Sequence, residues 1–130
     1  METTQFSNFT LLITDDDYIN RIVIQRVLKD ISMKIETAEN GLLAIQYINA
    51  HLEDKIILLL DINMPEMNGY EVIELLRNDK QKYKNIKTII VSASNYEEVV
   101  EKNFHKDVFG FLSKPVDKNT LTESILSATK

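Results

Sequence analysis

The side chains in this sequence that could handle a charged group recur at one kind of place, the end of a short apolar run. Asp15-Asp16-Asp17 follows Phe9-Thr10-Leu11-Leu12-Ile13-Thr14, and Asp61 follows Ile56-Ile57-Leu58-Leu59-Leu60. Ser92 closes the run Lys87 to Val91, and Lys114 stands just past Val108 to Leu112. Brought together, these groups form a specific chemical set. Three carboxylates a few Å apart repel unless a cation sits among them, and a hard divalent ion with oxygen ligands suits them. Mg2+ takes only one or two carboxylates directly and keeps waters, which leaves room for phosphate oxygens. A lysine and a hydroxyl opposite would supply positive charge and a hydrogen bond to a transferring phosphoryl group. Asp61 could then serve as a nucleophile that forms an aspartyl phosphate. Each residue alone also has an ordinary reading: a helix start, a turn former or a solvated charge.

The elements that must position them follow from periodicity. Ile56 to Leu60 shows no polar alternation, the pattern of a strand buried on both faces of a parallel sheet. Pro65, Asn68 and Gly69 then make a loop. In chain order, Phe9 to Thr14 is a first strand, and Asp17 or its neighbour caps a helix with Ile19, Val23, Val27 and Ile31 recurring at helical spacing. Met33 to Thr37 is a short strand. Asn40-Gly41 turns into a helix with Ala44, Ile45, Ile48 and Leu52 on one stripe, and Gly69 to Arg77 repeats that stripe with Val72, Ile73 and Leu76. Lys87 to Val91 is a strand ending in Ser92-Ala93-Ser94, and a helix starts near Asn95 or Tyr96. Val108 to Leu112 is the last strand, and Leu121, Ile125 and Ala128 mark a closing helix capped near Asp117. Strands thus alternate with helices, which predicts a doubly wound parallel sheet with right-handed crossovers of about a dozen residues. All strand ends then fall on one edge, where such sheets keep their ligand crevice.

Composition bounds the class. A chain of 130 residues is long enough to bury a core without staples, and it has no cysteine for disulfides or thiol chemistry. Twenty acids against fifteen bases, a net charge of -5, argue against a basic face for nucleic acid. No signal peptide or membrane-spanning run is visible, so a cytoplasmic location and no membrane contact are expected.

The combination Ile13-Thr14-Asp15-Asp16-Asp17, Leu60-Asp61-Ile62-Asn63-Met64-Pro65-Glu66-Met67-Asn68-Gly69, Val91-Ser92-Ala93 and Lys114-Pro115 resembles the receiver domain of two-component response regulators. The resemblance covers essentially the whole chain, and the D-x-x-M-P-x-M-x-G and K-P motifs carry it. It implies an α/β, flavodoxin-like (βα)5 sandwich with a five-stranded parallel sheet of order 2-1-3-4-5, over residues 9–130 after an N-terminal extension of 1–8. It further implies a switch rather than an enzyme. Asp61 is the expected phosphoacceptor, taking its phosphoryl group from a phosphohistidine of a histidine kinase or histidine phosphotransfer protein. The implied metal is Mg2+, bound by Asp16, Asp61 and the backbone carbonyl of Asn63, with Asp15 acting through a metal-bound water. Ser92 and Lys114 match the family's switch hydroxyl and lysine, Phe111 its switch aromatic, and the Lys114-Pro115 bond is expected to be cis. A downstream protein partner is expected on the face made by the fourth helix, the last strand and the closing helix.

Some positions depart from the family pattern. Ser92 stands where Thr is commoner, which keeps the hydroxyl, and Phe111 lacks the hydroxyl of a Tyr. Phe104 to Gly110 lacks the usual small residues before the last strand. Asn20-Arg21 is similar to receivers attached to hybrid sensor kinases, and also reads as a solvated helix face. The chain ends at Lys130 without an output domain, as expected for a single-domain regulator or a receiver excised from a longer protein. Two other classes share features: a receiver-like module that is never phosphorylated, and a phosphatase with a strand-end Asp nucleophile, which would want an Asp where Asn63 stands. Neither glycine pattern of a nucleotide-binding enzyme is present.

Overall fold

The computed structural model describes residues 8–93 and 95–130. Residues 1–7 of the expected extension, and Ser94 of the Ser92-Ala93-Ser94 strand end, lie outside the described residues. The elements are β1 (Phe9–Thr14), α1 (Tyr18–Val27), β2 (Lys34–Ala38), α2 (Gly41–Ala50), β3 (Lys55–Leu60), α3 (Gly69–Arg77), β4 (Ile86–Ser92), α4 (Tyr96–Glu101), a 3-10 turn (His105–Asp107), β5 (Gly110–Ser113) and α5 (Lys118–Ala128). The sheet order is β2-β1-β3-β4-β5 with every pair parallel, the flavodoxin-like arrangement.

The alternation hidden in the apolar run of β3 appears in the packing. Ile56, Leu58 and Leu60 join a core with Ala44, Ile45, Ile48, Val72, Ile73 and Val99, from α2, α3 and α4. Ile57 and Leu59 face the other way, into a core with Ile24, Leu28, Leu121 and Ile125, from α1 and its end and from α5. Each face is thus apolar because each is covered, and full burial of one such side chain contributes about 1.5 to 3 kcal/mol.

Each helix starts on an Asn or Asp whose side chain accepts an N-terminal amide: Asp17, Asn40, Asn68, Asn95 and Asp117. Asn68 and Glu71 form a reciprocal capping box. Such caps are worth about 1 kcal/mol each, and they fix where each loop past a strand must stop.

The structure corrects some expected details. In α1, Ile19 and Val23 are exposed, Ile31 lies past the helix, and the buried face is carried by Ile24 and Leu28. The last strand spans Gly110–Ser113 rather than Val108 to Leu112, because the 3-10 turn and Asn103, at φ 63°, take up the chain before it. β2 and β4 differ from expectation by one residue at their ends. The Lys114-Pro115 peptide bond is cis.

Gly69 is required by close approach. A Cβ there would lie 2.6 Å from the Asp61 carbonyl oxygen and 2.8 Å from the Ile62 Cα, both backbone atoms. Its amide donates to the Ile62 carbonyl at 2.8 Å, folding the β3–α3 loop over the strand end. Gly69→Ala is therefore expected to cost about 1 to 3 kcal/mol by overpacking. Gly110→Ala, whose Cβ would meet nothing nearer than 4.0 Å, is expected to be neutral or stabilising by up to about 1 kcal/mol. Urea unfolding of the two variants checks the contrast.

Candidate functional site

Three backbone hydrogen bonds place the residues that matter. The Asp15 amide donates to the carbonyl of Ala38, the last residue of β2, at 3.2 Å. The Asp61 amide donates to the carbonyl of Thr14, the last of β1, at 3.0 Å, and the Lys114 amide to that of Ser92, the last of β4, at 2.9 Å. Each of the three residues stands past the end of its own strand yet stays bonded to a neighbouring strand. Their side chains therefore converge at the carboxyl edge of the sheet.

Lys114 lies among the carboxylates. Its Nζ is 2.8 Å from Asp15 Oδ2 and 3.5 Å from Asp61 Oδ2. Asp15 and Asp61 are buried, at 2% and 6% exposure, so these ion pairs are shielded from solvent. Asp15 Oδ1 also accepts the Asp17 amide at 2.9 Å. Asp16 is exposed and has no hydrogen bond or ion pair among the described residues. One ligand atom each from Asp15, Asp16 and Asp61 can be chosen so that all lie within 4.8 Å of one another. Three carboxylates against one ammonium leave an excess of negative charge, and the set is all oxygen. These residues fit a hard divalent cation.

Burial raises the pKa of the Asp61 carboxyl above its ordinary value; Lys114 pulls it down, Asp15 pushes it up, and the Asn63 amide pulls it down without cancelling the rise. Burial works against the Lys114 ammonium, but Asp15 and Asp61 outweigh it and raise the lysine above its usual value.

The structure brings Asp15, Asp16, Asp61 and Lys114 to one place. Asn63 follows on the same loop, its amide 3.4 Å from Asp61 Oδ1. Ser92 is fully buried at the end of β4. Phe111 is half-buried on β5, in edge contact with the Tyr96 ring at 5.6 Å. Arg21 is the residue whose contact the sequence did not reveal. Its Nη1 donates to the Asp15 carbonyl at 2.7 Å. Its place one helical turn after an acidic run is the signal that could have pointed to it. Beside the site, Asn20, Val23 and Ile24 face Val91, Pro115 and Val116 across a groove of about 310 Å3, which Lys114 also lines.

The profile of the response regulator receiver domain family matches residues 11–126, and the chain belongs to that family. It is a CheY-like receiver of two-component signalling. Among relatives, the two-component response regulator ARR15 of Arabidopsis thaliana is 31% identical over 89% of this chain and 62% of its own length. The probable transcriptional regulator ycf29 of Porphyra purpurea is 33% identical over 91% of this chain and 55% of its own. The chain thus spans less than two thirds of these relatives. Among solved structures, that of the CheX-CheY-BeF3-Mg+2 complex from Borrelia burgdorferi matches with a TM-score of 0.80 and 27% identity, covering 94% of this chain and 90% of that one. A sensor protein from Polaromonas sp. JS666 matches with a TM-score of 0.81 and 25% identity, covering 92% and 94%. Among the described residues no helix is long and apolar enough to cross a membrane.

The raised Asp61 pKa carries a stability consequence. A carboxyl that titrates higher in the native than in the unfolded state favours folding when protonated, so its ionised form opposes folding above the native pKa. In metal-free buffer at neutral pH, Asp61→Asn is expected to raise the melting temperature by a few degrees. The gain should shrink as pH falls through the native pKa, where the wild-type carboxyl becomes neutral. Thermal melts across the acid range check both the sign and the direction.

Proposed function

We propose that this receiver accepts a phosphoryl group on Asp61 from a phosphohistidine, with Mg2+ required, and signals by a conformational change at α4, β5 and α5. One observation carries the reading: a buried nucleophilic carboxylate at the end of the central strand, 3.5 Å from a lysine ammonium and within reach of two further carboxylates. In the transfer, an Asp61 oxygen attacks phosphorus, the phosphorus–nitrogen bond breaks, and its electron pair returns to the imidazole. When bound, Mg2+ supplies the positive charge that lets a phosphoryl group approach these carboxylates. Asp16 and Asp61, with the Asn63 carbonyl, would hold it. Both Asp15 oxygens already accept from the chain, one from Lys114 and one from the Asp17 amide, which supports its acting through water rather than directly.

The ammonium 3.5 Å from Asp61 supports a role for Lys114 in following the charge. As Asp61 changes from carboxylate to acyl phosphate, the ammonium beside it can pair with a phosphoryl oxygen while keeping Asp15. Tyr18, Ile19 and Val23 of α1 are exposed, and Val23 lines the groove that Lys114 and Pro115 share, which supports docking of the phosphodonor protein on that side.

For the output, Ser92 closes β4, so a phosphoryl oxygen could draw its hydroxyl toward Asp61. The Phe111 ring, held by Tyr96 at the edge of the same core as Val99, could then move inward. One charge-assisted hydrogen bond of about 1.5 to 3 kcal/mol is enough to shift a two-state element tenfold or more. Without a hydroxyl, Phe111 would make that move on packing alone.

Incubation with a small acyl phosphate or a phosphohistidine donor is expected to add one phosphate mass to the wild type only when Mg2+ is present, and none to Asp61→Asn, as read by mass spectrometry. An equal gain in both proteins refutes the assignment. For the switch, a beryllofluoride mimic is expected to change hydrogen exchange across Ser92 to Leu112 in the wild type. Phe111→Ala should lose that change while keeping phosphorylation within about threefold, a rate difference below 1 kcal/mol. Protection changes confined to the surroundings of Asp61 would sink the switching face.

A further inference from the structure

We propose that Arg21 is the positioning residue of the acidic loop: by fixing the Asp15 carbonyl it holds the Asp16 carboxylate in reach of Asp61, ready for the cation. The inference rests on the metal reading of the site given above, and it adds a residue to which that reading assigns no part.

The placement of Arg21 runs against local electrostatics. It is the fourth residue of α1, close to the positive end of the helix dipole, where a cation is disfavoured. Side chains on a helix tilt toward its N-terminus, so from there the guanidinium reaches back six residues. Three aspartates lie in that direction. Among the described residues it forms an ion pair with none of them, and its Nη1 instead donates to the Asp15 backbone carbonyl at 2.7 Å. A residue serving only as counter-charge would gain more from a carboxylate oxygen than from a carbonyl.

The bond completes Asp15. Its amide donates to Ala38, its two carboxylate oxygens accept from Asp17 and Lys114, and Arg21 takes the carbonyl. Asp17 is held as firmly, by its own amide to Asp15 and by its carboxylate to the amides of Ile19 and Asn20. Asp16 lies between these two anchored residues, and its own carboxylate makes no bond among the described residues. Its orientation is therefore set by the backbone on either side, and on the Asp15 side the last constraint is Arg21.

The two roles a cation could have here predict opposite signs. Removing a positive charge near a cation site tightens Mg2+ binding, whereas removing a backbone tether loosens it. Titration of the full chain with Mg2+ alone by calorimetry is expected to show about tenfold weaker binding in Arg21→Ala, the worth of one charge-assisted hydrogen bond. Arg21→Lys, which keeps charge and a donor, should recover part of the loss. A second readout needs no metal: hydrogen exchange of the Asp17 amide should speed up in Arg21→Ala. Because α1 keeps its Asp17 cap, a cooperative melt verifies that the variant is folded. Unchanged or tighter Mg2+ binding in folded Arg21→Ala overturns the proposal, as does an unchanged Asp17 amide. If the wild type itself ignores Mg2+ while the Asp17 amide still loosens in the variant, the metal reading fails and the tether alone stands.

Discussion

One ammonium group makes the carboxyl edge of this sheet tenable. Lys114 reaches the Asp15 and Asp61 carboxylates, both nearly excluded from water, and without it two buried like charges would face each other across adjacent strands. The pairing links residues 99 positions apart, so it joins the ends of β1 and β5 across the strands between them. A buried pair of this kind contributes less to net stability than its geometry suggests, because desolvation offsets much of the attraction. What it does secure is arrangement: breaking it leaves an uncompensated charge, so the loops after β1, β3 and β5 keep one mutual geometry.

That arrangement depends on backbone as much as on charge. The amides of Asp15, Asp61 and Lys114 extend the sheet's hydrogen bonding past the strand ends, and Gly69 lets the β3–α3 loop close over Asp61 without steric conflict. Side chains mounted this way are held by the hydrogen-bonded sheet itself. Asp16 is the exception: exposed and, among the described residues, without a hydrogen-bond or ion-pair partner, its carboxylate is aimed only by the anchored backbone on either side.

The strand order was implied by the family resemblance, but the strands themselves, the caps at Asp17 and Asp117 and the gathering of Asp15, Asp16, Asp61 and Lys114 were legible in the residues, for a physical reason. Buried parallel strands need uninterrupted apolar runs, so their ends are marked by the first polar residue, and topology places those ends on one edge. What could not be read was orientation within α1. That helix carries apolar residues on more than one side, and a four-residue spacing suits Ile19 and Val23 as well as Ile24 and Leu28. Composition alone does not say which pair meets the sheet. The segment before β5 was obscured for another reason: the positive φ at Asn103 and the buried stack of Phe104 on Tyr70 decide its path, and neither has a periodic signature. Arg21 escaped because its partner is a backbone carbonyl, which looks the same at every position of a sequence.

The Asn and Asp caps on the five helices have a consequence for the field at the site. In a doubly wound sheet each helix begins where the preceding strand ends, so all five helix N-termini lie along the edge that holds the carboxylates. Each brings about half a positive charge in its unpaired amides. Three of the caps, Asn40, Asn68 and Asn95, are neutral and satisfy an amide without cancelling that charge. The peptide backbone itself thus makes a positive contribution to the potential at this negatively charged edge, independent of pH and of any titrating side chain. That backbone contribution offsets part of the repulsion an incoming anion meets from Asp15, Asp16 and Asp61, and leaves the rest to the lysine and the cation.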